Sequence, residues 1–337
     1  MKKIILLILL FSSQIFSQWE GTKYEDVFGD DSNSWSFTFS GSTAFQLQQL
    51  QGTGDVTFYW GDGTKTNYTL TSSDQTISHT YATTNQYTVR VANSFRIKKL
   101  YGSSNAGTWG VDTRKLRNLK SLTWFSMTCR YFTFNSQYHT GLTYFQAYNL
   151  NTGTISITFN SQYHTGLTYF YAYNLNTGTI SITFNSQYHT GLTYFYASTL
   201  NTGTISITFN SQYHTRLTYF VAYNLNTGTI SITFNSQYHT GLTYFQAYNL
   251  NTGTISITNP THTWSNSLNN FYLIMNYGNN LTAADVDQLI IDLDSSTWTG
   301  TSRTLRLTGS KIAGPTATSA TALENLRTVK NVAVTTN

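Results

Sequence analysis

The chain has 337 residues, of which 10% are charged and 16% aromatic, with 25 Tyr, two Pro and one Cys. That balance excludes intrinsic disorder, which requires high charge and few aromatics, and a lone Cys excludes an intramolecular disulfide framework. The net charge is +5, and because Lys2 and Lys3 fall in the leader described next it drops to +3. So small an excess leaves no electrostatic footprint for nucleic acid.

Residues 1–17, MKKIILLILLFSSQIFS, pass from a basic start through the apolar run Ile4 to Phe11 into small and polar residues. This is the layout of a Sec-type signal peptide, and the run is too short to span a bilayer. The mature protein is therefore expected to be secreted or at the cell surface. No later stretch of the sequence is apolar enough for a transmembrane segment. Cys129, without a mate in an oxidising compartment, is expected to be a buried small residue. Residues 18–34 read as an N-terminal linker.

Residues 35–94 alternate apolar and polar side chains between turn signals: WSFTFSG, FQLQQL, DVTFYWGDGT, QTISHTY, QYTVRVAN. Period-2 runs of this length predict strands of a small β-sandwich. Trp60-Gly61-Asp62-Gly63, His79-Thr80-Tyr81 and Tyr87-Thr88-Val89-Arg90-Val91 resemble the PKD family, with its W-x-F-G-D-G turn and H-x-Y…G-x-Y-x-V strand pair. Phe58 and Trp60 stand in exchanged order, and Asn85 replaces the glycine before Tyr87. The resemblance implies a non-catalytic spacer or contact module. Asp62 and His79 could be read as an acid and base, but Asp-Gly in a hairpin is far more often a turn requirement.

Residues 95–134 form a basic neck with Arg96, Lys98, Lys99, Arg114, Lys115, Arg117, Lys120 and Arg130. A solvated capping face is its commonest explanation. From Asn135 the sequence NSQYHTGLTYFQAYNLNTGTISITF recurs with a period of 25, in copies beginning at Asn135, Asn160, Asn185, Asn210 and Asn235 and ending at Asn259. Such a period predicts a solenoid in which each coil contacts only its neighbours. Leu167-x-x-Phe170-x-Ala172 followed by Leu175-Asn176-x-Gly178-x-Ile180 resembles the leucine-rich repeat, with Phe170 and Ala172 in place of leucines and the asparagine shifted in register. The expected fold is therefore mainly β: a PKD-like sandwich followed by a leucine-rich-repeat-like solenoid of 25-residue coils with irregular caps.

Alternation places Leu142, Phe145 and Ala147 inward and Tyr144, Gln146 and Tyr148 on an outer, concave face. In Thr154-Ile155-Ser156-Ile157-Thr158 it buries both isoleucines, so each coil should carry two strands. Residues 260–337 continue as irregular coils and a C-terminal cap. Ala283 to Ile290 predicts a helix capped by Thr282, and Ala322 to Leu326 another, with Thr321 and Glu324 spaced as a capping box. This segment resembles the closing units of repeat proteins from bacterial surfaces and phage tails.

The copies differ mainly on the outer face of one strand, which makes that face the candidate contact surface. Its first position is constant: Tyr144, Tyr169, Tyr194, Tyr219, Tyr244. Its second reads Gln146, Tyr171, Tyr196, Val221, Gln246, and its third Tyr148, Tyr173, Ser198, Tyr223, Tyr248. Apart from Asn259 at the array's end, Thr199 and Arg216 are the remaining departures within the array. Like tyrosines should stack in columns ~4.8 Å apart. Such columns suit stacking on sugars or packing against another protein, and equally stiffening of the solenoid itself.

His139, His164, His189, His214 and His239 form a further column, but stacked imidazoles beside Thr and Gln lack the mixed ligands of a metal site. No metal or cofactor is expected. Between Asn135 and Ala284 the only formal charge is Arg216, whereas acid, base and electrostatic catalysis need ionisable groups. The sequence therefore predicts a non-catalytic binding or adhesion protein for a protein or glycan on a cell surface. A self-assembling structural protein is the first alternative, since a neutral surface offers little repulsion. An ice-binding protein is the second, because the Thr154-Ser156-Thr158 ladder resembles the threonine arrays of solenoidal antifreeze proteins.

Overall fold

The computed structural model describes residues 33–103, 107–126, 128–150, 153–175, 179–185, 190–200, 204–210, 216–225, 229–235, 241–250, 253–258, 264, 267–276, 280–299 and 301–337. The leader lies outside the described residues, as do His189, His214 and His239. The described residues are mainly β and form two sheets of eleven and twelve strands.

Strands β1 (Trp35–Ser40), β2 (Ala44–Gly52), β3 (Gly54–Tyr59), β4 (Lys65–Leu70), β5 (Gln75–Thr80) and β6 (Tyr87–Ala92) come from the alternating N-terminal runs. They pair antiparallel, with β1, β6, β3 and β4 in one sheet and β2 and β5 in the other. Next are β7 (Ile97–Gly102), β8 (Thr108–Asp112), β9 (Ser121–Phe125) and β10 (Cys129–Asn135). Here the pairing changes over. β8 is antiparallel to β1 but parallel to β10, and β7 is antiparallel to β2 but parallel to β9. The basic neck is thus built into both sheets, and its strands carry each sheet from the N-terminal part into the array without a break.

In the array the chain alternates between the sheets. It runs through β11 (Tyr144–Tyr148) and β12 (Thr154–Asn160), β13 (Tyr169–Tyr173) and β14 (Thr179–Asn185), β15 (Tyr194–Leu200) and β16 (Thr204–Asn210). It continues with β17 (Tyr219–Leu225) and β18 (Thr229–Asn235), β19 (Tyr244–Leu250) and β20 (Gly253–Thr258). Every copy therefore contributes two strands, as its two alternating segments predict. Beyond it, β21 (Asn270–Ile274), β22 (Thr304–Thr308) and β23 (Ala333–Thr336) extend only the twelve-stranded sheet. The helices α1 (Ala283–Asp294) and α2 (Ala320–Glu324) fall between them in the chain, where the array had its second strand.

α1 begins at its expected cap. The Thr282 hydroxyl accepts from Asp285 N, and the Asp285 carboxylate accepts from Thr282 N. α2 departs from expectation: it starts at Ala320 with Ser319 as N-cap, so Thr321 lies inside the helix and the capping box with Glu324 is not made. Ser319 makes no side-chain cap bond; its hydroxyl is turned to the buried Asp287 carboxylate, to which it donates at 2.5 Å.

The two sheets differ in register. In the twelve-stranded sheet, equivalent residues face one another, Phe145 opposite Phe170 and Ala147 opposite Ala172. In the eleven-stranded sheet Ile157 faces Ile180 and Phe159 faces Ile182, so equivalents slip by two residues at every strand. A slip of one would turn each strand's core side chains to solvent, so only an even slip is allowed. With ~3.3 Å per residue and ~4.8 Å between strands, equivalents advance about 8 Å per coil in this sheet but only ~4.8 Å in the other. Displacement in a repeated screw motion grows with distance from its axis. The twelve-stranded sheet is accordingly the inner sheet of the winding and the eleven-stranded one the outer.

One hydrophobic core runs between the sheets from end to end. Phe37 and Phe45 of the N-terminal part stack on or tilt against Trp109, Trp109 meets Trp124 edge to face at 5.9 Å, and Trp124 stacks on Phe132. From there Phe145, Phe170, Phe195, Phe220, Phe245 and Phe271 stack in line at 4.8 to 5.6 Å. Cys129 is buried within this core, and burial pushes its thiol up to about 11.

Candidate functional site

The candidate surface is the solvent side of the inner sheet. Leu142, Phe145 and Ala147 are fully buried, which turns Tyr144, Gln146 and Tyr148 outward on β11, and the in-register pairing repeats this at each strand. Tyr144, Tyr169, Tyr194, Tyr219 and Tyr244 form one ladder with ring centroids 4.2, 4.3, 4.4 and 4.6 Å apart and planes within 12° of parallel. The Tyr144 hydroxyl donates to Gln146 Oε1 at 2.7 Å, and Tyr244 repeats the bond to Gln246 at 3.0 Å. A spine beside the ladder fixes its register. Each Thr hydroxyl at positions 168, 193, 218 and 243 donates to the carbonyl of its equivalent one coil earlier, at 2.9 to 3.1 Å.

The second and third columns form a zigzag. Tyr148 meets Tyr171 edge to face, Tyr171 stacks on Tyr196 at 4.4 Å, Tyr173 meets Tyr196 edge to face, and Tyr223 stacks on Tyr248 at 4.6 Å. Two expected contact residues are not on the surface: Ser198 and Val221 are both 0% exposed. They are the small members of a two-by-two block whose large members, Tyr196 and Tyr223, meet above them with hydroxyls 2.7 Å apart. Tyr196 lies edge to face with both Tyr173 and Tyr223, in the gap that Ser198 leaves in its column. Packing thus accounts for these two departures together.

The strip extends beyond the repeats. Phe125 stacks on Tyr148 at 4.5 Å and Tyr101 meets Phe125 edge to face. At the other end Tyr248 meets Tyr272, whose hydroxyl accepts from Arg306 Nη1 at 2.7 Å beneath the guanidinium. The coil-like segments Leu122-Thr123-Trp124-Phe125, Leu268-x-x-Phe271-x-Leu273 and Thr304-Leu305-Arg306-Leu307 carried the signal for Phe125, Tyr272 and Arg306, each at an outward position that continues a column; Tyr101 lies outside them.

Electrostatically the repeats' part of the face is neutral. Burial, and after it the neighbouring phenols, raises the hydroxyls of Tyr169, Tyr194 and Tyr196 above the ordinary tyrosine value and pushes Tyr171 and Tyr248 up to about 12. Arg216 is exposed at a glycine position where the equivalents Gly166 and Gly241 leave room for a side chain.

The other titratable groups singled out by sequence lie apart from this face. His139 is buried, with Nδ1 3.0 Å from the Leu116 carbonyl and Nε2 3.2 Å from Thr113 Oγ1, and burial lowers its pKa to about 4. His164 is buried as well. Asp62 closes the turn between β3 and β4, accepting from Thr64 N and Oγ1, and lies 2.7 Å from His79 Nε2. Burial would raise this carboxyl, but the Thr64 and His79 bonds outweigh it and hold it at about 2. Gly61 in that turn has φ +82°, and a Cβ there would sit 2.6 Å from the Thr88 carbonyl oxygen.

The neck cations are dispersed into local contacts. Arg114 grips Asp112 with a forked pair, Lys99 pairs with Asp74 at 2.8 Å, and Arg96 donates to the Thr53 carbonyl. Among the described residues no three His, Cys, Asp or Glu side chains are placed to hold a metal, and no helix is long and apolar enough to cross a membrane. Comparison of the chain with models of protein families, with curated proteins and with solved structures found no match.

Proposed function

We propose that the protein is a non-catalytic secreted or cell-surface binding protein, and that the solvent face of its inner sheet is the contact surface for a protein or glycan. The observation that carries this reading is the unbroken chain of ring contacts from Tyr101 to Tyr272. Single exposed hydrophobics need no explanation, whereas a contiguous half-buried aromatic strip is what interaction surfaces present. Tyrosine supplies an apolar body with a polar tip. Rings already held by stacking lose little further freedom when a partner arrives.

The lack of carboxylates in the array and the buried, neutral state of His139 support the non-catalytic part of the reading. The PKD-like N-terminal strands and leucine-rich-repeat-like coils fit a spacer that presents a contact surface, and the leader fits export. The outer sheet weighs against the ice-binding alternative. Its slip sets Thr158 beside Ser181, where a regular ice-facing array would need like residues in line.

The test is a triple substitution of Tyr171, Tyr196 and Tyr223 by Ala. Binding of the mature protein to cell surfaces should be abolished while far-ultraviolet circular dichroism stays that of the parent. Unchanged binding by a folded triple variant would overturn the reading.

A further inference from the structure

Resting on the reading of the inner-sheet face as the contact surface, we infer that its ligand is a neutral polysaccharide chain, lying along the coil stack and held by the rims and hydroxyls of the tyrosine ladder, with the ring faces taking no part. The first argument is access. Tyr169, Tyr194 and Tyr219 each have a parallel tyrosine on both sides, at 4.2 to 4.6 Å. No sugar can stack on a face that is already covered. What remains towards solvent is the ring rim and its hydroxyl; neighbouring ladder phenols hydrogen-bond one another, and a phenol that donates to its neighbour keeps acceptor capacity for a sugar hydroxyl.

The second argument is charge. The array carries one formal charge, Arg216, and the ladder phenols, neutral at about pH 7 even at the ordinary tyrosine value, are raised further by burial. Anionic polymers find no row of cations here, and a neutral polyol loses nothing by approaching.

The third argument is repetition. Equivalent rings stand in register along the inner sheet, so the same hydroxyl recurs at every coil. A polymer of identical units can meet several of them at once, and a slender chain suits the inner side of the winding. Each bond made in water is weak, so affinity must come from several units engaged together and must rise with ligand length.

Affinity electrophoresis of the mature protein tests this in gels containing hydroxyethylcellulose, galactomannan, laminarin, dextran or soluble starch, with heparin as the anionic gel. The expected result is retardation in at least one neutral gel and none in heparin, relieved by matching oligosaccharides in order of length and not by the monosaccharide. Tyr169→Phe, Tyr194→Phe and Tyr219→Phe together keep the stack but remove the hydroxyls, and should weaken retardation at least tenfold while the variant still unfolds in a single cooperative transition.

No retardation in any neutral gel, or retardation of the phenylalanine variant equal to the parent's, overturns the inference. The outcome is separable from that of the contact-face reading. If the Tyr171, Tyr196 and Tyr223 alanine variant loses cell-surface binding while the phenylalanine variant behaves as the parent, the face remains the contact surface and the hydroxyl-held polysaccharide alone is rejected.

Discussion

Thr199 occupies a backbone position that its side chain disfavours. Its φ is 51°, matching 51° to 55° at the equivalent Asn149, Asn174, Asn224 and Asn249. Asparagine enters the left-handed region readily, whereas a β-branched residue there is an outlier. Asn174 Nδ2 donates to Asn149 Oδ1 at 2.8 Å and Asn249 to Asn224 at 2.9 Å, so Thr199 also divides an amide ladder in two. Thr199→Asn should therefore raise stability by about 1 kcal/mol, read as a higher urea midpoint at unchanged slope; an unchanged midpoint would show that the strain is absent. The repeat comparison marks Thr199 as anomalous, but φ is not readable from residue types, so the cost was invisible in the sequence. Titration gives a second prediction. Below pH ~6.5 the unfolded chain protonates the His139 imidazole, while the folded chain does so only near pH 4, so this residue removes stability as pH falls through that window. Asp62, held at about 2, removes stability lower down, between the ordinary carboxyl range and pH 2. His139→Asn should flatten the upper decline and Asp62→Asn the lower one in urea midpoints measured against pH; the reverse assignment, or no change, would contradict the geometry.

At the scale of strands, the period-2 reading located the inward set because it depends on nothing beyond the local chain. Leu142, Phe145, Ala147, Ile155 and Ile157 are all fully buried. Ser198 and Val221 defeated it since their exposure depends on rings from neighbouring coils. Reading outward-facing as exposed held for the tyrosines and failed where a large residue leans over a small one. Restoring the repeat's own residue is informative: Ser198→Tyr must displace Tyr196 from between Tyr173 and Tyr223. Overpacking of this kind costs about 1–3 kcal/mol, so a residue closer to the repeat consensus should destabilise; a gain in thermal midpoint would show that the gap was not filled. The hydroxyl pair is measured by a double-mutant cycle of Tyr196→Phe and Tyr223→Phe, with an expected coupling of about 1 kcal/mol. The start of α2 was misread for a related reason. Thr321 and Glu324 have the right spacing, but Asp287, far away in sequence, holds the Ser319 hydroxyl.

Across the whole molecule, element types were legible and partnerships between distant elements were not. The alternating runs of residues 35–94 say nothing about which of their strands will meet β8 or β7, where antiparallel pairing turns parallel and both sheets pass into the array. The slip of the outer sheet is equally hidden, because every copy has the same sequence whichever register it adopts. Both registers nevertheless repeat identically from coil to coil, and this makes the array modular. Deleting residues 185–209 joins Phe184 to Asn210 and removes one whole copy of the 25-residue period. Every remaining strand keeps an equivalent neighbour in both sheets, the phenylalanine stack closes up, and stability falls only by one coil and one coil-to-coil interface. Deleting residues 185–208 instead leaves one residue too many between the strands on either side of the join. At least one of them must then turn its core side chains to solvent or bulge. The longer deletion should thus fold with a single cooperative unfolding transition, while the deletion shorter by one residue should lose cooperativity or fail to fold. Equal behaviour of the two in calorimetry would mean that the coils are not held by the register described for either sheet.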